Sequence, residues 1–579
     1  VAVLAGPGTG KTKTLIAKIL YLMEHRKIKA GDIMAVTFTN QAAREMTERL
    51  ESALGGKRRL AKIRIGTFHA LCLSFLQGQG REVMLTAKLE RKEMAEQAVD
   101  ESRIAMKTEE FLEELSRQKA GMEPPERTEE EKRLWEEAVQ KYEEEKRNNS
   151  LLDFDDLLLE TLELLENGAK GKNFGTPSYI LVDEFQDINP LQYRLIQAWN
   201  REAKELFVIG DADQSIYGFR GASAACFESL KADIPDLEII RLTENYRSSP
   251  QILQAAETVL DGALGSRLHP NCPDQDPVRL YQAGSRMGEA IFIAKEIGRM
   301  AGGIGMLEAQ ALSGKEYDRK VRSFDEIAVL CRTHRQAALL EKCFRQEGIP
   351  YVTAGRESFL EEEKVQGSFC FFRCLEHTDD MSAKKQSAKI LWKFSWNPVT
   401  EQILDEQIQK YQPLYRKKKP LDFLKSWLED MQLQENEAMK MLVSSSVFYP
   451  TMPEFLRNFE LGVESDLRRC GDRNYTAGAV RIMTLHGSKG LEFPVVMICG
   501  TEKGCIPLES ESYSVDISEE KRLLYVGMTR AKEELILTFS GEESPFLAEV
   551  GESVIQREQG RIRSREENYH QMTLFEEGL

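Results

Sequence analysis

The stretch VAVLAGPGTGKT, Val1 to Thr12, sets the terms for everything after it. Val1, Val3 and Leu4 read as a buried parallel strand, and Gly6, Pro7, Gly8 and Gly10 then force a tight turn. Lys11 and Thr12 open a helix, because TLIAKILYLMEH continues with apolar residues at three-to-four spacing. Strand, glycine-rich loop and Lys-Thr in that order make a phosphate cradle. Backbone N–H groups converge on the β-phosphate, Lys11 reaches the β and γ oxygens, and the Thr12 hydroxyl holds magnesium. The strict pattern has Gly where this chain has Ala5, a difference of one methyl group. Ala5, Gly6, Pro7, Gly8, Thr9, Gly10, Lys11 and Thr12 are the candidate nucleoside-triphosphate site.

A chain of 579 residues has mass for several domains with large cores. Its formal charge of −16 argues against a protein basic all over. It leaves nucleic acid open as a partner, since binding needs only a local basic groove. No apolar run approaches a membrane span and no signal peptide is visible, so no membrane partner is expected. The first residue is already inside a strand, which suggests that the natural start is missing. The ten cysteines are scattered. Cys370 and Cys374, one helical turn apart, read as buried thiols rather than zinc ligands. Unpaired thiols suit a reducing cytoplasm, the expected location.

Residues 13–78 alternate helix and strand, with IMAVTFTN and AKIRIGTFHALC each ending an apolar strand in a polar loop. From about 79 to 150 the texture turns charged, Gly-poor and helical, broken at Pro124–Pro125. It reads as an inserted helical subdomain with a solvated face. Strand–loop texture returns with YILVDEFQD, ELFVIGDADQS and IIRLTENYRSS. A second α/β unit follows, with strand candidates VRLYQA, IAVLCR, VRIMTLH, VVMICG and ELILTFS, and it has no second GKT. Residues 367–475 read as another helical insertion, which includes the basic run Arg416 to Lys419. A polar tail is expected from 546 to 579. The layout is two α/β cores, each interrupted by helices.

Asp183 and Glu184 follow apolar YILV, the companion strand of the phosphate loop. An acidic residue at the carboxyl end of a neighbouring parallel strand faces the same crevice. Asp183 suits the magnesium shell, and Glu184 is placed to orient and deprotonate the attacking water. Gln214 ends another apolar strand, where a neutral amide can touch both γ-phosphate and water. Tyr217, Phe219 and Arg220 follow within one loop, aromatics interleaved with a cation as base stacking requires. Arg247 and Arg530 lie in the half without a phosphate loop. Guanidinium groups reaching a γ-phosphate across a cleft couple hydrolysis to domain closure.

AGPGTGKT, TFTNQAAREM, GTFHALC, LDFDDLL, VDEFQD, GDADQSIYGFRGA, LTENYRSS, MTLHGSKGLEF and LLYVGMTRAK occur in that order. The series resembles superfamily 1A DNA helicases of the UvrD/Rep/PcrA type, from Val1 to about Ser540. The resemblance implies an α/β fold of two RecA-like parallel-sheet motor domains, each with a helical insertion. Domain 1A would comprise 1–78 and 151–240, with 1B at 79–150. Domain 2A would comprise 241–366 and 476–545, with a short 2B at 367–475. It implies magnesium-ATP hydrolysis and 3′-to-5′ movement on single-stranded DNA and at single/double-strand junctions, in repair or replication. By motif, Lys11 and Thr12 bind phosphate and magnesium, Asp183 binds magnesium, and Glu184 is the catalytic base. Gln214, Arg247 and Arg530 contact the γ-phosphate, Tyr246 stacks on adenine, and Glu492 meets the ribose. Phe38, Thr39, Asn40, Thr67, His69, Tyr217, Phe219, Arg220, Thr484 and His486 match DNA-contacting positions.

Three departures from that family stand out. Its adenine-reading glutamine segment precedes the first strand, ahead of where this chain starts. Phe219 stands where many members have Trp, which keeps a smaller stacking face. The 2B-like insertion is short and holds no Gly-Ile-Gly loop; Gly303–Ile304–Gly305 lies in the motor half instead. In the tail, Gln571-Met572-Thr573-Leu574-Phe575 looks like the Q-x-x-L-F peptide that docks on the bacterial sliding clamp. Leu574 and Phe575 would fill an apolar pocket, and Gln571 would hydrogen-bond at its rim. The alternatives are a translocase that strips proteins without efficient unwinding, and a motor subunit of a larger DNA-processing complex.

Overall fold

The computed structural model describes all residues except 61, 170–175, 219–220, 222–224, 261–267, 303–320, 355–358, 448, 461–477, 510–514 and 561–579. Phe219, Arg220, the Gly303–Gly305 triplet and the Gln571–Phe575 peptide therefore lie outside the described residues. The chain forms two compact units, Val1–Tyr246 with Ala354–Tyr475, and Arg247–Thr353 with Thr476–Leu579. Among the described residues no helix is long and apolar enough to cross a membrane.

The first unit is built on a six-stranded sheet. Its strands are β1 (Ala2–Ala5), β2 (Ile33–Thr37), β3 (Arg64–Thr67), β4 (Tyr179–Val182), β5 (Glu205–Gly210) and β6 (Ile239–Leu242). They lie in the order β3-β2-β4-β5-β1-β6, every neighbouring pair parallel. Successive side chains of a strand point to opposite faces, and the inner strands β1, β2, β4 and β5 are covered on both, so they are nearly apolar throughout, whereas the edge strand β6 is largely exposed. Val3, Ala35, Leu181 and Ile209 pack with Leu15, Ile19 and Leu50 of helices Lys11–Glu24 and Asn40–Leu54. Met34, Val36, Ile180 and Val208 pack on the other face with Leu71, Leu157 and Leu195. The expected polar loop after β3 is absent. Thr67 passes directly into helix Phe68–Gly78, its hydroxyl accepting from the Ala70 N–H, and Phe68, Leu71 and Cys72 are buried.

The second unit is built on a seven-stranded sheet: β7 (Val278–Gln282), β8 (Ile327–Cys331), β9 (Tyr351–Thr353), β10 (Val480–Thr484), β11 (Phe493–Cys499), β12 (Ala531–Phe539) and β13 (Ile555–Gln559). Their order is β9-β10-β8-β11-β12-β7-β13, again all parallel. Val329, Ile482, Met497 and Ile536 pack with Ile293, Leu340 and Phe344 of the covering helices. All five strand candidates of this half form. β13 lies beyond residue 545, where the tail was expected to begin. Its one buried residue is Ile555, and Arg279 of β7 pairs with Glu558 at 2.8 Å, so an edge strand hides in polar sequence.

Helices Lys88–Ser102, Thr108–Lys119 and Glu129–Asn148 form the first insertion, cored by Phe111, Trp135 and Tyr142. Six helices from Glu363–Glu376 to Met452–Glu460 form the second. Its core stacks Phe371 on Trp427 (4.8 Å between centroids, 14°), and Trp427 Nε1 donates to Ser368 Oγ at 3.0 Å. Cys370 and Cys374 are buried in this core. The expected layout places this insertion with the second motor half, yet residues 354–475 pack with the first unit. Arg373 is the reason: Nε donates to Asp380 (2.7 Å), Nη1 to the Leu85 carbonyl (2.9 Å) and Nη2 to Glu90 (2.6 Å). Ala87 and Leu89 add apolar contact to the same core.

Candidate active site

Every strand of a parallel sheet ends at the same edge, where loops can converge on a ligand. In the first unit that edge receives the phosphate loop after β1, Phe38 to Asn40 after β2, Asp183 and Glu184 after β4, and Asp211 to Tyr217 after β5. Gly8 (φ 68°) and Gly10 (φ 88°) adopt the left-handed backbone that turns the loop into helix Lys11–Glu24. The Thr9 hydroxyl bonds the Gly6 carbonyl at 2.8 Å. The methyl of Ala5 is buried in the core beside Leu15 and Ile209, which is why Ala is tolerated there. Its carbonyl accepts from Lys11 Nζ at 3.1 Å. A second clasp closes over the loop: Asn245 Nδ2 donates to the Pro7 carbonyl (2.7 Å), and the Tyr246 N–H donates to Gly8 (2.9 Å). The Tyr246 ring itself is 67% exposed, open to a flat partner. Sequence reasoning singled out Tyr246 and missed Asn245, whose partner lies 238 residues earlier.

Asp183 is buried, and that burial, with the Glu184 charge beside it, raises its carboxyl to about 7 against the pull of Lys11. Asp211 is buried too and raised chiefly by burial; Lys11 lowers it and Glu184 raises it. Asp211 Oδ2 accepts from Gln214 Nε2 at 2.6 Å, and Gln214 is buried. Lys11, Asp183, Glu184 and Asp211 thus form one electrostatic group with more carboxylates than cations. Hard oxygen donors with surplus negative charge, the Thr12 hydroxyl and the Asp183 carboxylate, fit magnesium. Glu184 sits at φ 48°, ψ 45°, a backbone conformation costing a non-glycine residue about 1–3 kcal/mol.

Phe38 and Tyr217 stack on each other at the same edge, centroids 5.6 Å apart and 16° from parallel. Thr39 caps helix Asn40–Leu54 by accepting from the Ala42 N–H at 3.1 Å, and Asn40 begins that helix. Thr67 is buried as the cap described above. His69 packs edge-on against Phe154 (5.6 Å, 85°), and burial pushes its imidazole down to about 4 despite Asp153.

Among the described residues one acidic group has cation-binding spacing, Glu143 with Asp153 and Asp156. Two lysines occupy it. Lys119 Nζ lies 2.7 Å from both aspartates, and the buried Lys146 Nζ lies 2.8 Å from Asp153 and 2.5 Å from Asp156. The LDFDDLL motif is therefore an internal ion-pair network.

In the second unit, Glu492 forms ion pairs with Arg247 Nε (2.7 Å) and Lys532 Nζ (2.6 Å). Arg530 is buried, its guanidinium donating to the carbonyls of Val526 (2.8 Å) and Leu491 (3.2 Å). Ser248 Oγ donates to the Ala531 carbonyl at 2.6 Å, tying the segment after Arg247 to the start of β12. Arg247, Glu492 and Arg530 are thus gathered beside the amino ends of β11 and β12. Thr484, whose hydroxyl accepts from the Gly487 N–H at 3.1 Å, ends β10, and His486 lies two residues beyond it.

Residues 1–235 match the UvrD/REP helicase N-terminal domain family, and residues 240–417 and 397–542 match the UvrD-like helicase C-terminal domain family. The chain is 28% identical over 643 aligned positions to an "ATP-dependent DNA helicase PcrA" of Staphylococcus epidermidis, covering 97% of this chain and 86% of that protein. A protein of the same description from Staphylococcus aureus is 27% identical, with 96% and 84% covered. A solved C-terminal domain of a possible DNA helicase from Lactobacillus covers 54% of this chain at 13% identity, with a TM-score of 0.23 that bears no argument. Two parallel sheets of RecA-like motor type and family matches spanning most of the sequence agree: this chain belongs to the UvrD/REP helicase family.

Proposed function

We propose that this helicase is a DNA-stimulated, magnesium-dependent ATPase that moves 3′-to-5′ along single-stranded DNA and opens duplexes at single/double-strand junctions, in repair or replication. The observation that carries the reading is the shared sheet edge. The phosphate loop, Asp183, Glu184 and the Asp211–Gln214 turn stand there with the Phe38–Tyr217 stack. Lys11 neutralises β and γ oxygens, and Thr12 with Asp183 would hold magnesium, which would supply further positive charge to the phosphates when bound. Glu184 orients and deprotonates the attacking water. Gln214, Arg247 and Arg530 contact the γ-phosphate, Tyr246 stacks on adenine, and Glu492 meets the ribose.

On the DNA side, Phe38, Tyr217 and Phe219 stack on bases. Thr39, Asn40, Thr67, His69, Arg220, Thr484 and His486 meet the strand without reading its sequence. A translocation assay beside an unwinding assay on a 3′-tailed duplex tests the reading. The expected result is movement and opening from 3′ tails alone. Movement without opening favours a protein-stripping translocase, and opening from 5′ tails contradicts the proposed direction. The peptide Gln571–Phe575 proposes a sliding clamp as a further partner. Removing residues 571–579 should abolish clamp binding, and undiminished binding ends that part of the proposal.

A further inference from the structure

Gln186 has no part in the roles assigned above, yet it is wholly buried between two of the catalytic segments. Its Nε2 donates to Glu184 Oε2 at 2.5 Å, and its Oε1 accepts from the Asp211 N–H at 2.8 Å. Its main-chain carbonyl accepts from Ser215 Oγ at 3.2 Å. The two partners fix the amide's orientation. Turned over, it would set a carbonyl against a carboxylate and an NH2 group against an N–H. Space is closed as well, since a Cβ on Gly210 would collide with Gln186 Oε1.

We propose that Gln186 is the positioning residue that aims the Glu184 carboxylate and ties it to the turn carrying Gln214 and Tyr217. Glu184 has a left-handed backbone at the end of β4, and the Gln186 amide holds one of its carboxylate oxygens. The same amide is bonded to Asp211, whose side chain holds Gln214, and Tyr217 follows three residues later. A base entering between Phe38 and Tyr217 shifts this turn. Through Gln186 that shift re-aims the group that activates water, giving DNA stimulation of ATP turnover a short physical route.

This inference rests on Glu184 being the base. The test is steady-state ATP turnover by the full chain, with and without single-stranded DNA, for Gln186→Met, Gln186→Glu and Glu184→Gln. Gln186→Met keeps the volume and removes the amide's hydrogen bonds to Glu184 and Asp211 together with its longer contact to Asp187 at 3.5 Å. The DNA-stimulated kcat should fall about 10- to 100-fold, the effect of misplacing a catalytic group by an ångström or so. KM for magnesium-ATP should hold within about twofold, the mark of a lost transition-state interaction. A space-filling role predicts no such split. If Gln186→Met does not fold, Gln186→Glu carries the test, because its carboxylate repels Glu184 while preserving shape. The same fall is expected, and unaltered DNA-stimulated kcat in the folded variant overturns the proposal. Glu184→Gln separates the two ideas. Full turnover in that variant refutes the base, whereas its loss beside an active Gln186→Met refutes the positioning role alone.

Discussion

At His69 burial and charge pull in opposite directions, and burial wins: the ring is neutral near pH 7 although Asp153 is close by. The unfolded imidazole takes its proton near 6.5 and the folded one near 4, so between these values the unfolded state binds more protons. Stability therefore falls as pH drops from about 6.5 to about 4, and His69→Gln removes that part of the fall. Thermal unfolding of both proteins across this range checks it, and parallel pH curves would contradict it. A neutral ring also releases no counterion from DNA. At pH 7.5 the salt slope of single-strand binding should be unchanged in His69→Gln; a decrease of about 0.7 would mean a charge contact. Lys11, Asp183 and Glu184 were legible as residues because their chemistry follows from local order. Gln186 and Asn245 were not, because their partners sit on other strands and no spacing announces them.

The inner parallel strands were legible as elements because burial on both faces makes them near-continuous apolar runs. β13 escaped notice because an edge strand needs little apolar surface, and the direct passage from β3 into helix Phe68–Gly78 turned on one capping hydroxyl. The docking of residues 354–475 on the first unit depends on an ion pair between residues 283 apart. Burial works against the Arg373 charge, but Glu90 and Asp380 outweigh it and hold its pKa above the ordinary value. Arg373→Met strands both buried carboxylates, at a cost of about 3–5 kcal/mol for a broken buried pair. Denaturant unfolding should show that loss, and Glu90→Gln in the same background should recover part of it. A loss under about 1 kcal/mol would mean that the apolar contacts of Ala87 and Leu89 dominate the junction.

Across the molecule, a net charge of −16 coexists with a nucleic-acid role because most of the contacts proposed for DNA are rings, hydroxyls and amides in the loops at strand ends rather than a basic surface. The phosphate loop, Asp183 and Glu184 lie in the first unit, and Arg247, Glu492 and Arg530 lie in the second. The central claim is that ATP chemistry occurs at the β1 loop and answers to DNA. The rate of ATP hydrolysis with and without single-stranded DNA, for the wild type and Lys11→Ala, tests it most directly. The account predicts turnover that rises with DNA in the wild type and falls at least about 100-fold in the variant, as loss of a preorganised phosphate cation requires. Equal DNA-stimulated turnover in the two proteins would contradict it.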